Sequence, residues 1–235
     1  ELARCARAQF TADGGQIEGS PGYHAGCLNM FFSLLDLAKD FNITLPDEII
    51  DTCRKATDYT LMASAPDGII TPFGDTACYV TCDNLARRYY SYFGELGSTA
   101  KFFAIHPNND PGVIPEPVQV QARELAKAAG GEDNFQRQID QYFARTGWTR
   151  EDSHFGFMCH TPVFNGHSHQ DPMTFVLHLK GDPIVVDPSY YTYRECEERK
   201  LYKSAEYHST LTFDNKPPYP YIQRWVFGPQ KEGKL

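Results

Sequence analysis

Apolar residues fall into two regimes along the chain. Up to about residue 146 they recur at helical spacing. Leu28, Phe31, Phe32, Leu34, Leu35, Leu37 and Ala38 make one apolar face. Ile49, Ile50, Cys53, Ala56, Tyr59, Leu61 and Met62 make the next, and Pro46-Asp47-Glu48 opens it with a first-turn proline and acids facing the helix dipole. Leu85, Tyr89, Tyr90 and Phe93 predict a further helix, as do residues 118–129 and 133–145. Glu1 to Arg7 reads as the tail of a helix already under way. Turns are expected at Ala65-Pro66-Asp67-Gly68 and around Pro72-Phe73-Gly74-Asp75. Residues 106–117, with four prolines, two asparagines and a glycine, predict a loop.

After Gly147-Trp148 the period changes to two. Phe155 and Phe157 alternate, Thr174–Leu179 reads as a strand, Gly181-Asp182 as a turn, and Ile184–Asp187 as the returning strand. Thr210–Phe213 and the run from Tyr221 to Phe227 read as strands too. Helices first and strands second predict two segregated units, a helical one over 1–146 and a β unit over 147–235. Helix pairs joined by loops predict a toroid or bundle for the first.

Composition narrows the function. The 235 residues are 41% hydrophobic and 22% charged, ordinary values for a chain that buries a core. A net charge of −8 argues against a general nucleic-acid binder, so an acidic substrate would need a local basic or polar pocket. No stretch reaches the roughly 18 apolar residues of a membrane span. The seven cysteines are odd in number and scattered, which predicts free thiols rather than a disulfide framework.

Several clusters can carry chemistry. In Gly166-His167-Ser168-His169-Gln170-Asp171, a His-x-His pair on a strand turns both rings to one face. That suits a zinc site, or one ligand plus one base, with a polar surface pair as the alternative. Asp187 ends an apolar strand before Pro188, where a carboxylate is costly unless paired or coordinated; a turn-capping role is the alternative. His208 opens a strand in Tyr207-His208-Ser209-Thr210. His169, Asp187 and His208 would together make a two-His, one-carboxylate zinc set with one open position. The polar, Gly-rich loop from Asp13 to His24 precedes an apolar helix, so Tyr23 and His24 stand at a helix entrance, aimed into a cleft or packed on the helix end. Glu18 and His24 of that loop, with Arg88 of Arg87-Arg88, are the candidate substrate-binding residues; for Arg88 a solvated helix face is the alternative. Asp75 or Thr76 is accounted for as a helix cap.

Taken together, DGGQIEGSPGYH (13–24), PDGIITPFGDT (66–76), GHSHQDPMTFVLHLKGDPIVVDPSYYTY (166–193) and SAEYHSTLTFDN (204–215) resemble the heparinase II/III-like polysaccharide lyases, a group that includes oligoalginate lyases. The resemblance implies an α+β multi-domain fold: an incomplete (α/α) toroid followed by an antiparallel β-sandwich, with both ends truncated. It implies that Tyr23 protonates the leaving glycosidic oxygen, that His167 takes the proton alpha to the uronate carboxylate or assists a Tyr in doing so, and that His169, Asp187 and His208 hold a structural Zn2+. Tyr193 is the best match for a second catalytic Tyr, with Tyr191 and Tyr202 as alternatives. The Asn that neutralises the substrate carboxylate in the family has no counterpart before Tyr23 and is expected upstream of Glu1. His208-Ser209 departs from the family's His-Asn.

The expected function is therefore β-elimination on a uronate-containing poly- or oligosaccharide, in the periplasm or secreted. A Tyr/His pairing in place of two carboxylates across a cleft separates this from a hydrolase. The alternatives are a uronyl epimerase, which reprotonates carbon, and a catalytically inactive zinc-bearing carbohydrate-binding protein.

Overall fold

The computed structural model describes residues 1–81, 85–105, 114–159, 167–223 and 225–229. Six helices come first: α1 (Leu2–Gln9), α2 (Pro21–Asp40), α3 (Asp47–Ala63), α4 (Leu85–Phe93), α5 (Leu96–Ile105) and α6 (Glu116–Ala128). An antiparallel five-stranded meander follows in the order β1 (Glu132–Gln136), β2 (Gln141–Arg145), β3 (His154–Met158), β4 (Thr174–Leu179) and β5 (Asp182–Val185). Then come a short helix, α7 (Glu197–Tyr202), a 3-10 turn at Ala205–Tyr207, and the ribbon β6 (Tyr221–Gln223) and β7 (Val226–Phe227).

The apolar faces read from the sequence are largely buried, with Leu37 of the first one facing outward instead. Leu28, Phe32 and Leu35 of α2 and Ile49, Cys53 and Ala56 of α3 enter one core. That core continues into the sheet through Phe143, Met158 and Val176, so helices and strands share a single interior. Phe143 stacks on Phe73 and meets Tyr59 edge-on, which seats β2 against α3. The described cysteines, Cys5, Cys27, Cys53, Cys78, Cys159 and Cys196, are free, and burial pushes the Cys53 thiol up to about 12.

Several expectations are corrected. Residues 133–145 form the β1–β2 hairpin, not a helix. Phe135, Ile139 and Phe143 mimic a helical stripe, but Asp140 adopts φ 49° in the turn and sets Phe135 opposite Tyr142, leaving Phe135 exposed. The boundary drawn at 146/147 thus cuts the sheet between β2 and β3. The strand before Asp187 is not buried: among the described residues β5 pairs with β4 alone, and Ile184 and Val186 face outward. His208 follows the 3-10 turn instead of opening a strand, and Thr210–Phe213 makes only an isolated bridge at Phe213. The run from Tyr221 to Phe227 is two short strands. His167 and His169 lie on a loop rather than a strand. Helix α5 was not expected, while Cys82, Gly166 and residues 106–113 lie outside the described residues.

Candidate active site

Tyr23 stands in the first turn of α2, and that turn is anchored from elsewhere. The Gly22 amide donates to Thr76 Oγ1 at 2.9 Å, and Ser20 Oγ lies 2.8 Å from the same oxygen. A helix-start amide without an intrahelical partner is thereby satisfied by a side chain from another segment. Behind it, Gln141 of β2 donates to the Gly19 carbonyl at 2.6 Å and accepts from Tyr59 Oη at 2.6 Å. Gly14, at φ +93°, lets the loop lie directly on α3, since a Cβ there would sit 2.4 Å from the Lys55 carbonyl oxygen.

The Tyr23 hydroxyl lies 2.8 Å from the Tyr193 hydroxyl. The Tyr23 ring stacks on His167, with centroids 3.7 Å apart. Burial first, then the bond with Tyr23, pushes the Tyr193 phenol far above its ordinary range, so it stays neutral. A groove of about 630 Å3 is lined by Tyr23 and Tyr193 together with Glu18, Asp75, Tyr79 and Tyr190.

Beneath the groove Asp75 gathers four donors. Arg199 donates from Nη1 to Oδ1 at 2.6 Å and from Nη2 to Oδ2 at 2.8 Å. His169 Nε2 donates to Oδ1 at 2.9 Å, and His167 Nδ1 to Oδ2 at 3.2 Å. Burial alone would raise this carboxyl, but the bonds from His167, His169 and Arg199 hold it well below the carboxylate range. The Asp75 amide donates to the His167 carbonyl at 3.0 Å, and Gly74 at φ +57° permits that approach, because a Cβ would meet the same carbonyl at 2.6 Å.

Arg199 and Lys203 share one face of α7 and its following turn, four residues apart, and both are buried. The Arg199 guanidinium lies 5.0 Å from the Tyr193 ring centroid and 5.7 Å from that of Trp225. Lys203 Nζ is 4.0 Å from Asp75; burial pulls its ammonium down to about 8 against the pull of Asp75. Trp225 stacks on Tyr193 and meets His167 edge-on, closing an aromatic layer over the two cations.

His169 Nδ1 faces His208 Nε2 at 3.2 Å, and both rings are buried. The donor set His169, Asp171 and His208 lies within 4.8 Å of one another, the chemistry and span of a divalent transition-metal site. Asp187 takes a different place: its Oδ2 accepts from the far nitrogen of His208 at 2.8 Å and its Oδ1 from the Ser189 amide. Burial would lower His208, but Asp187 raises it to about 9. The structure thus brings His169, His208 and Asp187 into one cluster and adds Asp171.

Of the candidate substrate-binding residues, Glu18 reaches the groove, 3.9 Å from His167 Nε2. His24 does not. It is 1% exposed, donates to the Ala56 carbonyl between α2 and α3, and burial lowers it to about 3. The helical period turns position 24 inward when position 23 faces the cleft. Arg88 lies in a separate groove between α2 and α4, held by Asn29, Ser33 and Asp36. The residues missed from the sequence are Asp75, explained there as a cap, and Arg199, Lys203, Tyr190 and Trp225. The four-residue spacing of Arg199 and Lys203 was the one signal available for the cations.

The comparisons agree with this architecture. Residues 1–99 match the family described as heparinase II/III N-terminus, and residues 138–232 match heparinase II/III-like, C-terminal. A heparin-sulfate lyase of Pedobacter heparinus is 26% identical over 219 residues, covering 89% of this chain and 30% of the relative. One of Bacteroides stercoris is 23% identical over 214 residues, covering 88% and 30%. The chain therefore spans about a third of the length of these relatives. Among solved structures, a heparinase III superposes with TM-score 0.73 at 22% identity, over 92% of this chain and 32% of that one. A heparan sulfate lyase from Pedobacter heparinus gives 0.69 at 24%, with the same coverage. These likenesses identify the helices as part of a helical toroid and the antiparallel sheet as part of the β-sandwich that follows it. Among the described residues no helix is long and apolar enough to cross a membrane. With both halves matched in order, the chain belongs to the heparinase II/III-like family.

Proposed function

We propose that the protein is a polysaccharide lyase that cleaves uronate-containing chains, with glycosaminoglycans first among them, by β-elimination. The observation that carries this reading is the convergence of Tyr23, Tyr193 and His167: the two hydroxyls lie 2.8 Å apart in one groove and the imidazole stacks on Tyr23 beside it. Elimination needs a base at C5 and an acid at O4, held on neighbouring atoms of one sugar linkage. His167, with its Nδ1 proton engaged by Asp75, presents Nε2 as the base. Tyr23 gives its proton to O4 as the C4–O bond breaks and the C5–H electron pair becomes the C4=C5 double bond. Tyr193, held neutral, fixes the Tyr23 hydroxyl; after the product leaves, the proton taken up by His167 passes to solvent and Tyr23 regains one from it.

A zinc ion is the metal we assign to the His169–His208 cluster, held by both rings and a carboxylate. In the present geometry that carboxylate is Asp171, with Asp187 orienting His208 from behind. Bound there, the ion would supply a fixed cross-link between the 167–171 loop and the turn after α7. Polymeric acidic substrates place the enzyme in the periplasm or outside the cell.

The test is to incubate the full-length protein with heparan sulfate, chondroitin sulfate and alginate and follow the ultraviolet absorbance of the conjugated unsaturated uronate. A rise that Tyr23→Phe abolishes supports elimination at this site. No rise, but solvent deuterium appearing at C5, would replace the lyase with an epimerase. Neither signal on any substrate overturns the reading and leaves a binding protein.

A further inference from the structure

We infer that Asp75 and Arg199 form a positioning pair that holds the base His167 and the metal-cluster ring His169 in register through one carboxylate. The inference rests in part on the lyase reading, since it names what orients that reading's base.

The geometry is symmetrical. Each Asp75 oxygen accepts one histidine N–H and one guanidinium N–H: Oδ1 takes His169 and Arg199 Nη1, and Oδ2 takes His167 and Arg199 Nη2. A carboxylate accepts only, so both ring nitrogens facing it must carry hydrogen. That single requirement sets both tautomers. His167 keeps its Nε2 lone pair on the side of Glu18, a residue of the groove, and His169 keeps its Nδ1 lone pair toward His208, 3.2 Å away. An amide at position 75 would satisfy at most part of the set, because its NH2 would face another N–H.

Arg199 makes the arrangement rigid. Its planar fork matches both oxygens at once, which a lysine cannot do. Buried together, the two groups exclude water from the back of both histidines. The same guanidinium lies under Tyr193, so it also backs the partner of Tyr23. Helix α7 thus supports three of the groups around the cleft, while none of its own residues lines the groove.

Two measurements test the pair. The first needs no substrate: ring-15N-labelled histidine spectra of the zinc-free protein, at one neutral pH, report which nitrogen of His167 and His169 carries hydrogen. We expect Nδ1–H at His167 and Nε2–H at His169, and Asp75→Asn to change at least one of them. Unchanged tautomers in a folded Asp75→Asn protein would overturn the inference whatever the protein cleaves. The second is kinetic. Asp75→Asn and Arg199→Lys should each lower kcat, by about 10- to 100-fold, with KM within about twofold. Because a lone buried charge can prevent folding, the charge-neutral double variant Asp75→Asn/Arg199→Met is measured beside them. It should recover thermal stability but not kcat. Recovery of both would make the pair a structural ion pair only. If wild-type protein shows no turnover, the lyase reading fails by itself and the tautomer measurement still decides the pair.

Discussion

The hydroxyls of Tyr23 and Tyr193 lie 2.8 Å apart although 170 residues separate them in the chain. In the proposed reaction the first is the acid and the second its support, so their removal has unequal effects. Tyr23→Phe should lower kcat by about 100- to 10,000-fold. Tyr193→Phe, which leaves the acid in place but without its partner, should cost about tenfold or more and leave KM nearly unchanged. Steady-state kinetics on one uronate polymer measures both. Equal effects would mean that the two hydroxyls share one role.

The metal cluster separates ligands from the group behind them. His208→Ala and Asp171→Asn should abolish stoichiometric zinc. Asp187→Asn should weaken affinity by about 10- to 100-fold, the usual effect of losing the acceptor behind a ligating histidine. Zinc content by elemental analysis, and affinity by chelator competition, read these directly. Complete loss in Asp187→Asn with retention in Asp171→Asn would make Asp187 the third ligand, the set implied by the family resemblance.

Acid should loosen the helical core before it reaches most carboxylates. Burial lowers His24 to about 3 and, with help from Arg145, His154 to about 3 as well. Between pH 6.5 and pH 3 the unfolded chain therefore binds protons that the folded one refuses. Stability from these groups is complete above pH 6.5 and is lost as pH falls toward 3, on the order of 4–5 kcal/mol for His24 at most. His24→Gln keeps a donor for the Ala56 carbonyl and should flatten part of that slope. Urea midpoints across the range, compared with wild type, measure it.

Arg145 ties the sheet to α3. From β2 its guanidinium donates to the carbonyls of Leu61, Ser64 and Gly147 and packs 3.8 Å from the Trp148 ring centroid. Arg145→Met would leave buried carbonyls unpaired and should destabilise the fold by about 3 kcal/mol or more, with Arg145→Lys intermediate. Denaturant melts measure the loss. Activity per folded molecule should hold, because no part of this contact borders the cleft.

The long helices were legible because their apolar stripes are long and sit on a single core. Strand β4 was legible because it alternates cleanly. The β1–β2 hairpin was not, since apolar residues spaced by four satisfy a helix as well as two strands joined by a tight turn. In the site, Tyr23, His167, His169 and His208 were singled out by residue type and local context. Asp75 was not, because a local rule already explained it as a cap, and nothing local reveals four donors arriving from other segments. Arg199 lies in the charged stretch Glu197-Glu198-Arg199-Lys200, and nothing in that stretch marks this one side chain as buried. Such residues owe their roles to tertiary convergence, which leaves no periodic trace.

Thr76 joins three stretches of chain. It caps the helix start at Gly22, bonds Ser20, and its carbonyl accepts from Ser189 on the loop that carries Tyr193. The two walls bearing the paired hydroxyls are therefore stitched together at their base by side-chain bonds. In the proposed reaction a substrate would meet a proton-transfer pair that is already assembled, with little ordering left for the moment of reaction. Any closing of the groove around a sugar chain then falls to its outer edge, where Tyr79 is 76% exposed, and not to the floor that holds the chemistry.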